Sequence, residues 1–293
     1  MTERTFGVEM EMVGVTKEQV AAALTAAGIP CQTSYYGSPN SSFWKAQPDG
    51  SVQVTHANQG QGSCELVSPI LRGEAGLATI RRVCAVLATI NAKVNKKCGL
   101  HVHMGARDLS HDEIKKICKI WVRDENIIDM VMPVSRRANN NRYCRSNLTK
   151  DTSAYNEPGT AMYTVDDMFN RISSARTFQQ LQYAVCPIGR YHKLNLCAFA
   201  EHGTIEFRQH SGTVEADKIC YWIEFLDSMI AEARTRRTIG RRSTETGLAR
   251  MAPPRRVILH MSDMGVTSEC AKFFRARAEL LNPTTTNPVN AAA

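Results

Sequence analysis

The chain has no run of eighteen apolar residues, so no segment reads as a transmembrane helix. Its start carries no basic stretch followed by an apolar one. Met1-Thr2-Glu3-Arg4 leads straight into an apolar–acidic alternation, which reads as no signal peptide. Its ten cysteines include no CxxC pair. They are scattered singly, most of them in apolar runs (Cys84, Cys118, Cys197, Cys220), against a clustered-thiolate zinc site or a disulfide scaffold. The expectation is buried free thiols in a reducing cytoplasm. The phosphate-cradling pattern GxxxxGK[ST] is missing, which removes one common way of holding a nucleotide. There is no internal repeat.

What is present is an ordinary globular composition. The chain has 293 residues, 43% hydrophobic and 22% charged, enough for one large domain or two small ones. The net charge is +8. Much of the excess is local: Arg234, Arg236, Arg237, Arg241, Arg242, Arg250, Arg255 and Arg256 crowd one stretch. That stretch suits an anionic partner, nucleic acid included, and equally suits a solvated helix end and linker.

Residues 6–12 (FGVEMEM) alternate strictly, with Phe6, Val8, Met10 and Met12 opposite Gly7, Glu9 and Glu11. That is a strand with one apolar face. Residues 16–27 read as a helix capped by Thr16, and 64–71 (CELVSPIL) as a strand. Residues 33–62 read as a polar loop with a turn at Asp49-Gly50-Ser51. Helical spacing over 74–97 predicts an amphipathic helix ended by Gly99. LHVHMG at 100–105 alternates again, and Ser110-His111-Asp112-Glu113 is a capping box opening a helix to about Met132. Residues 134–163 read as a second polar loop, with a helix from near Thr164. HKLNLCAF (192–199) and TIEFRQH (204–210) predict a hairpin, with Glu206, Arg208 and His210 on one face. A helix follows over roughly 214–237, and the tail from 283 reads as disordered.

Three strands thus each place two ionisable residues opposite their apolar ones: Glu9 with Glu11, His101 with His103, Glu206 with Arg208. Residues i and i+2 project the same way, with Cα atoms about 7 Å apart, so side chains of neighbouring strands can converge. Pooled carboxylates repel and stay ionised only if cations neutralise them. Hard oxygens favour magnesium or manganese, and imidazoles do not exclude them. The competing reading is a set of solvated faces of antiparallel strands.

The ordered motifs FGVEMEM, DGSV, CELVSPIL, GLHVHMG, HKLNL and GTIEFRQHSGT resemble the amidoligase family of the glutamine synthetase and γ-glutamylcysteine synthetase superfamily. The likeness runs from about residue 5 to 213. It implies an α+β, glutamine-synthetase-like fold: a curved, mainly antiparallel sheet with an open concave face and helices on the other. It implies metal ligands at Glu9, Glu11, Glu65, His101 and Glu206, and Arg208 against a transferring phosphoryl group. His103 would face substrate. Asp49 would orient substrate or contact a metal, or is simply a turn residue. Lys193 and Asn195 would contact phosphate or carboxylate, with a surface lysine as the alternative. Arg142 would be a further anion clamp.

The activity implied is ATP- and magnesium-dependent joining of a small-molecule or peptide carboxylate to an amine through an acyl phosphate, in the cytoplasm and away from membranes. Rival readings are a metal-dependent hydrolase without ATP, and a nucleic-acid-associated protein or modification enzyme using residues 234–256. The expected layout is a catalytic domain over 1–238, a basic extension over 239–282 and a loose tail over 283–293.

Overall fold

The computed structural model describes residues 3–35, 37–38, 42–52, 62–241 and 250–283. Arg242, the stretch 53–61 and all of the tail but Pro283 lie outside them. The strands are β1 (Thr5–Val13), β2 (Cys31–Thr33), β3 (Trp44–Gln47), β4 (Ser63–Val67), β5 (Leu71–Arg72), β6 (Leu100–Gly105), β7 (Leu194–Asn195) and β8 (Thr204–Phe207). The helices are α1 (Lys17–Ala26), α2 (Gly73–Thr89), α3 (His111–Ile128), α4 (Val165–Ser174), α5 (Phe178–Val185), α6 (Ala198–His202), α7 (Ala216–Thr235), α8 (Pro253–Asp263) and α9 (Ser268–Leu281).

The strands form one open, mostly antiparallel sheet in the order β2-β3-β4-β1-β6-β8-β7, with β5 also paired to β1. Among the described strand pairs, only β2–β3 is parallel. The architecture is α+β, as expected. β1 and β6 form because their period-two patterns bury one face. Phe6, Val8, Met10, Val102, Met104 and Phe207 join Leu77 and Ile80 of α2, Trp121 of α3, and Trp222 and Phe225 of α7 in one core. Trp121 lies 5.2 Å from the Phe207 ring. Each such large side chain contributes about 1.5–3 kcal/mol when fully buried. With helices on that face, the Glu and His residues are left on the other.

Several expected boundaries shift, each for a local reason. The strand over 64–71 breaks at Ser68-Pro69-Ile70. Pro69 has no N–H to give the ladder, and Ser68 instead bonds Val8 through both its backbone and its hydroxyl. The helix expected over 74–97 ends at Thr89 because Asn91 turns to a left-handed φ of 57°. Lys93 then pairs with Val13, and Val94 lies off the helix, 37% exposed. The hairpin near 192–210 keeps its pairing but contains a helical turn, α6, stopped by Gly203 at φ 67°. Because β8 ends at Phe207, His210 does not share a face with Glu206. It packs 5.5 Å from the Trp222 ring, and burial pushes its imidazole down to about 3.

Other elements escape the sequence pattern. β3 lies inside the supposed polar loop, and α5 begins at an overlooked Thr177–Gln180 capping box. The stretch 250–282 holds α8 and α9, which pack on each other and against α3 and α7. Among its arginines and those just before, Arg234 pairs with Asp108 and Glu113, Arg236 with Glu232 and Asp263, and Arg241 with Asp166. All ten cysteines are free, and all but Cys197 are buried. No helix among the described residues is long and apolar enough to cross a membrane.

Candidate active site

Strand register carries the site. β1 places Glu9 opposite His101 of β6, and Glu11 opposite Glu65 of β4. β8 places Glu206 opposite His103 and Asn195. β3 adds Gln47 opposite Glu65. Four neighbouring strands thus converge on the uncovered face, with β3 and β7 flanking them.

Glu9 joins both imidazoles, with His101 Nδ1 3.0 Å from one oxygen and His103 Nε2 3.3 Å from the other. His101 Nε2 is 3.7 Å from Glu11, and its Nδ1 is 3.9 Å from Glu206. Glu206 also accepts from Asn195 at 2.6 Å and is bonded by Arg208. Glu65 accepts from Gln47 at 2.7 Å, and Glu11 from the Gly99 N–H at 2.6 Å. Gly99 is needed for this close approach: a Cβ there would stand 2.9 Å from His101 Nε2.

The electrostatics are unbalanced. For Glu9, burial favours the acid, but hydrogen bonds and charge from His101 and His103 hold it well below the usual carboxylate range. For Glu65, burial and then the charge of Glu9 push it well above that range, against the Gln47 hydrogen bond. Glu206 is lowered because Arg208 and His103 outweigh its burial. His103 is raised: burial opposes its charge, and Glu206 and Glu9 overcome that. One carboxylate of the group is thus driven towards protonation by burial and by its neighbours' charge, and a divalent ion would relieve the repulsion.

The donor set suits such an ion. Glu9, His101 and Glu206 can present ligand atoms within 4.8 Å of one another, and so can Glu11, Glu65 and His101. Mostly carboxylate oxygen with one imidazole is a set for magnesium or manganese, and the five residues are those the motifs single out.

A cavity of about 680 Å³ opens over the cluster. Asp49 lines it, with its carboxylate accepting from Ser51 N at 2.6 Å; Asn195 and Arg208 line it as well. A second cavity of about 610 Å³ lies over Gly7 and shares Glu9, Val67, His103 and His202 with the first.

Lys193 and Arg142 do not take the places expected for them. Lys193 does not line the cavity. It is fully buried, 2.9 Å from Glu125 and 2.6 Å from Asp129. β7 spans only Leu194–Asn195, so strand alternation does not carry Lys193 to the Asn195 face. Arg142 is exposed, lies over the Tyr143 ring and does not line the cavity. Conversely, Lys45, Gln47, Arg136, Tyr143, Arg190 and Tyr191 line the cavity without having been singled out. Trp44-Lys45-Ala46-Gln47 does alternate, but four residues are too short a signal inside a polar stretch. Arg136, in the stretch read as a polar loop, is buried and donates to the Cys98 carbonyl at 2.6 Å.

Fold and site together define an α+β protein with a candidate divalent-metal centre on the open face of an antiparallel sheet. Residues 2–230 match the family model described as "Putative amidoligase enzyme", and the chain belongs to that family. The family is one of amide-bond-forming ligases, and its match ends within α7, so α8 and α9 lie beyond it. A search of the curated proteins gave no match.

Proposed function

We propose that this chain is an ATP- and magnesium-dependent carboxylate–amine ligase with a glutamine-synthetase-like catalytic fold. The observation that carries the reading is the crowding of Glu9, Glu11, Glu65, His101 and Glu206 beside Arg208, in a chain of the amidoligase family.

Carboxylate and amine do not condense in water, because the carboxylate oxygen is a poor leaving group. In the proposed reaction a carboxylate oxygen takes the γ-phosphoryl group of ATP and ADP departs. The amine nitrogen then attacks the acyl carbon. The C–N bond forms, the C–O bond to phosphate breaks, and the amine loses a proton. Protein groups in such chemistry mainly position and neutralise. Bound magnesium, with manganese as the alternative, supplies positive charge to the phosphoryl oxygens. Glu9, Glu11, Glu65, His101 and Glu206 would hold it.

Arg208 offers a planar fork to phosphoryl oxygens, and its bond to Glu206 fixes the side chain. Asn195 orients Glu206 from the opposite side. His103, held by Thr204 at 3.0 Å, lies where the two cavities meet and is the residue best placed to touch a second substrate. Asp49, at the rim, is a substrate contact.

The test is ATP-dependent phosphate release with magnesium, screened over amino acids, small amines and short peptides. Release is expected with one acid–amine pair and is lost in Glu9→Gln and Glu206→Gln proteins. Cleavage of amides or esters without ATP consumption would replace the ligase by a hydrolase.

A further inference from the structure

Four side chains form a second arrangement near the carboxylate cluster. The Arg142 guanidinium lies over the Tyr143 ring, 5.5 Å from its centroid, and Arg190 lies over Tyr191 at 5.5 Å. The two tyrosine rings are 6.1 Å apart at a tilt of 57°. The result is a ladder of planar cations and aromatic rings. Tyr143, Tyr191 and Arg190 line the main cavity, and Tyr143 is 41% exposed.

The ladder stands on a firm frame. Arg145 N donates to the Tyr191 carbonyl at 2.8 Å, and Lys193 N to the Arg145 carbonyl at 2.9 Å. The two tyrosine-bearing segments are therefore paired in parallel. Arg145 is fully buried and grips Asp151 at 2.6 Å. The Tyr143 carbonyl also accepts from Arg208 Nε at 3.4 Å, and Arg208 reaches on to Glu206. One guanidinium thus spans the distance from the ladder to the carboxylate cluster. Arg136, Lys45 and Lys97 line the same cavity.

A cavity lined by aromatic rings, by cations and by a candidate divalent-ion cluster suits one kind of ligand. That ligand carries a planar base at one end and a polyanion at the other. We infer that Tyr143 and Tyr191 form the stacking platform for the base of a nucleoside triphosphate, whose phosphates run past Arg208 to the carboxylates. The assignment rests on the ATP-dependent reading proposed above. The tilt of the rings rules out a base sandwiched between both, so it lies on one ring face. Stacking of this kind tolerates different bases.

Titration calorimetry on the full chain with magnesium tests it, using ATP and inorganic tripolyphosphate as probes. In Tyr143→Ala and Tyr191→Ala, ATP affinity is expected to fall about 10-fold or more in at least one variant, as for loss of one base stack. Tripolyphosphate affinity stays unchanged, and the matching Tyr→Phe variant restores ATP binding. ATP affinity unchanged in both alanine variants would overturn the platform and leave the ligase reading standing. Parallel loss of ATP and tripolyphosphate binding would also overturn it, since the tyrosines would then be shaping the phosphate wall. No binding of either probe to the unaltered chain would remove the ATP-dependent reading, and the platform with it.

Discussion

Two of the acidic clusters among the described residues are finished differently. In one, Glu125 and Asp129 meet Lys193, and each carboxylate oxygen has a donor. Lys193 serves an oxygen of both acids, Asn147 N the other Glu125 oxygen, and Ala138 N the other Asp129 oxygen. Gln209 adds a further bond to Asp129. Burial works to lower the Lys193 ammonium, yet the two acids outweigh it and raise it. In the other, Glu9, Glu11, Glu65 and Glu206 crowd around two imidazoles, with Arg208 on Glu206 and Lys45 near Glu9 and Glu65, and Glu65 is pushed towards its neutral form. The first cluster is closed, with a hydrogen-bond donor on every carboxylate oxygen, and serves stability. The second is open: it leaves Glu65 driven towards its neutral form, an imbalance that the proposed metal would relieve.

The largest effect that tests this contrast is on folding. Lys193→Met leaves two acids without their cation, and urea unfolding should show a loss of about 3–5 kcal/mol. A loss under about 1 kcal/mol would break the comparison, because the closed cluster would then not depend on its ion pair. Next comes Arg208→Lys in the open cluster. It keeps the charge and loses the fork, so turnover in the phosphate-release assay should fall about 100-fold, worth ~2.7 kcal/mol, with melting temperature nearly unchanged. Near-normal turnover would remove Arg208 from the phosphoryl site.

A smaller effect concerns acid. His192, beside Lys193 in sequence, is buried neutral: its Nδ1 donates to the Ser146 carbonyl and its Nε2 accepts from Ile188 N. Burial lowers it from 6.5 to about 4. Between those values the unfolded chain binds a proton that the folded chain does not. Stability therefore falls as pH falls through that window, by about 2 kcal/mol at pH 5 for this residue. His192→Gln should flatten the drop in melting temperature between pH 7 and pH 5. An unchanged slope would place the acid sensitivity elsewhere.

The two clusters were also unequally legible in the sequence. The open one announced itself, because long strands with period-two patterns put Glu9, Glu11, His101 and His103 on known faces. Their partners across the sheet did not follow, since register between β1, β4 and β6 is set by contacts far apart in the chain. The closed cluster was misread. Lys193 was grouped with Asn195 as an anion contact, but strand alternation holds only within a strand, and β7 is two residues long. Acids from α3 and the 3-10 turn after it capture the ammonium instead. α8 and α9 were hidden for another reason. Arginines dominate that stretch, while its buried stripes, Val257 with Met261 and Cys270 with Phe274, are narrow.

The smallest effect is the sharpest, because the two clusters should answer it with opposite signs. Glu65→Gln removes one like charge from the open cluster and keeps a side-chain oxygen able to accept from Gln47. With chelator present and no divalent ion, stability should rise by about 1 kcal/mol, since burial and the charge of Glu9 already disfavour the carboxylate. With magnesium the order should reverse. The unaltered chain gains stability by binding, about 2.7 kcal/mol at 100 times Kd, and the variant gains less. In the closed cluster, Glu125→Gln should destabilise with or without metal, because Lys193 would lose one of its two anions. If Glu65→Gln destabilised the metal-free chain as Glu125→Gln does, the open cluster would be a structural ion network like the closed one. The case for a metal centre would then lose its electrostatic ground.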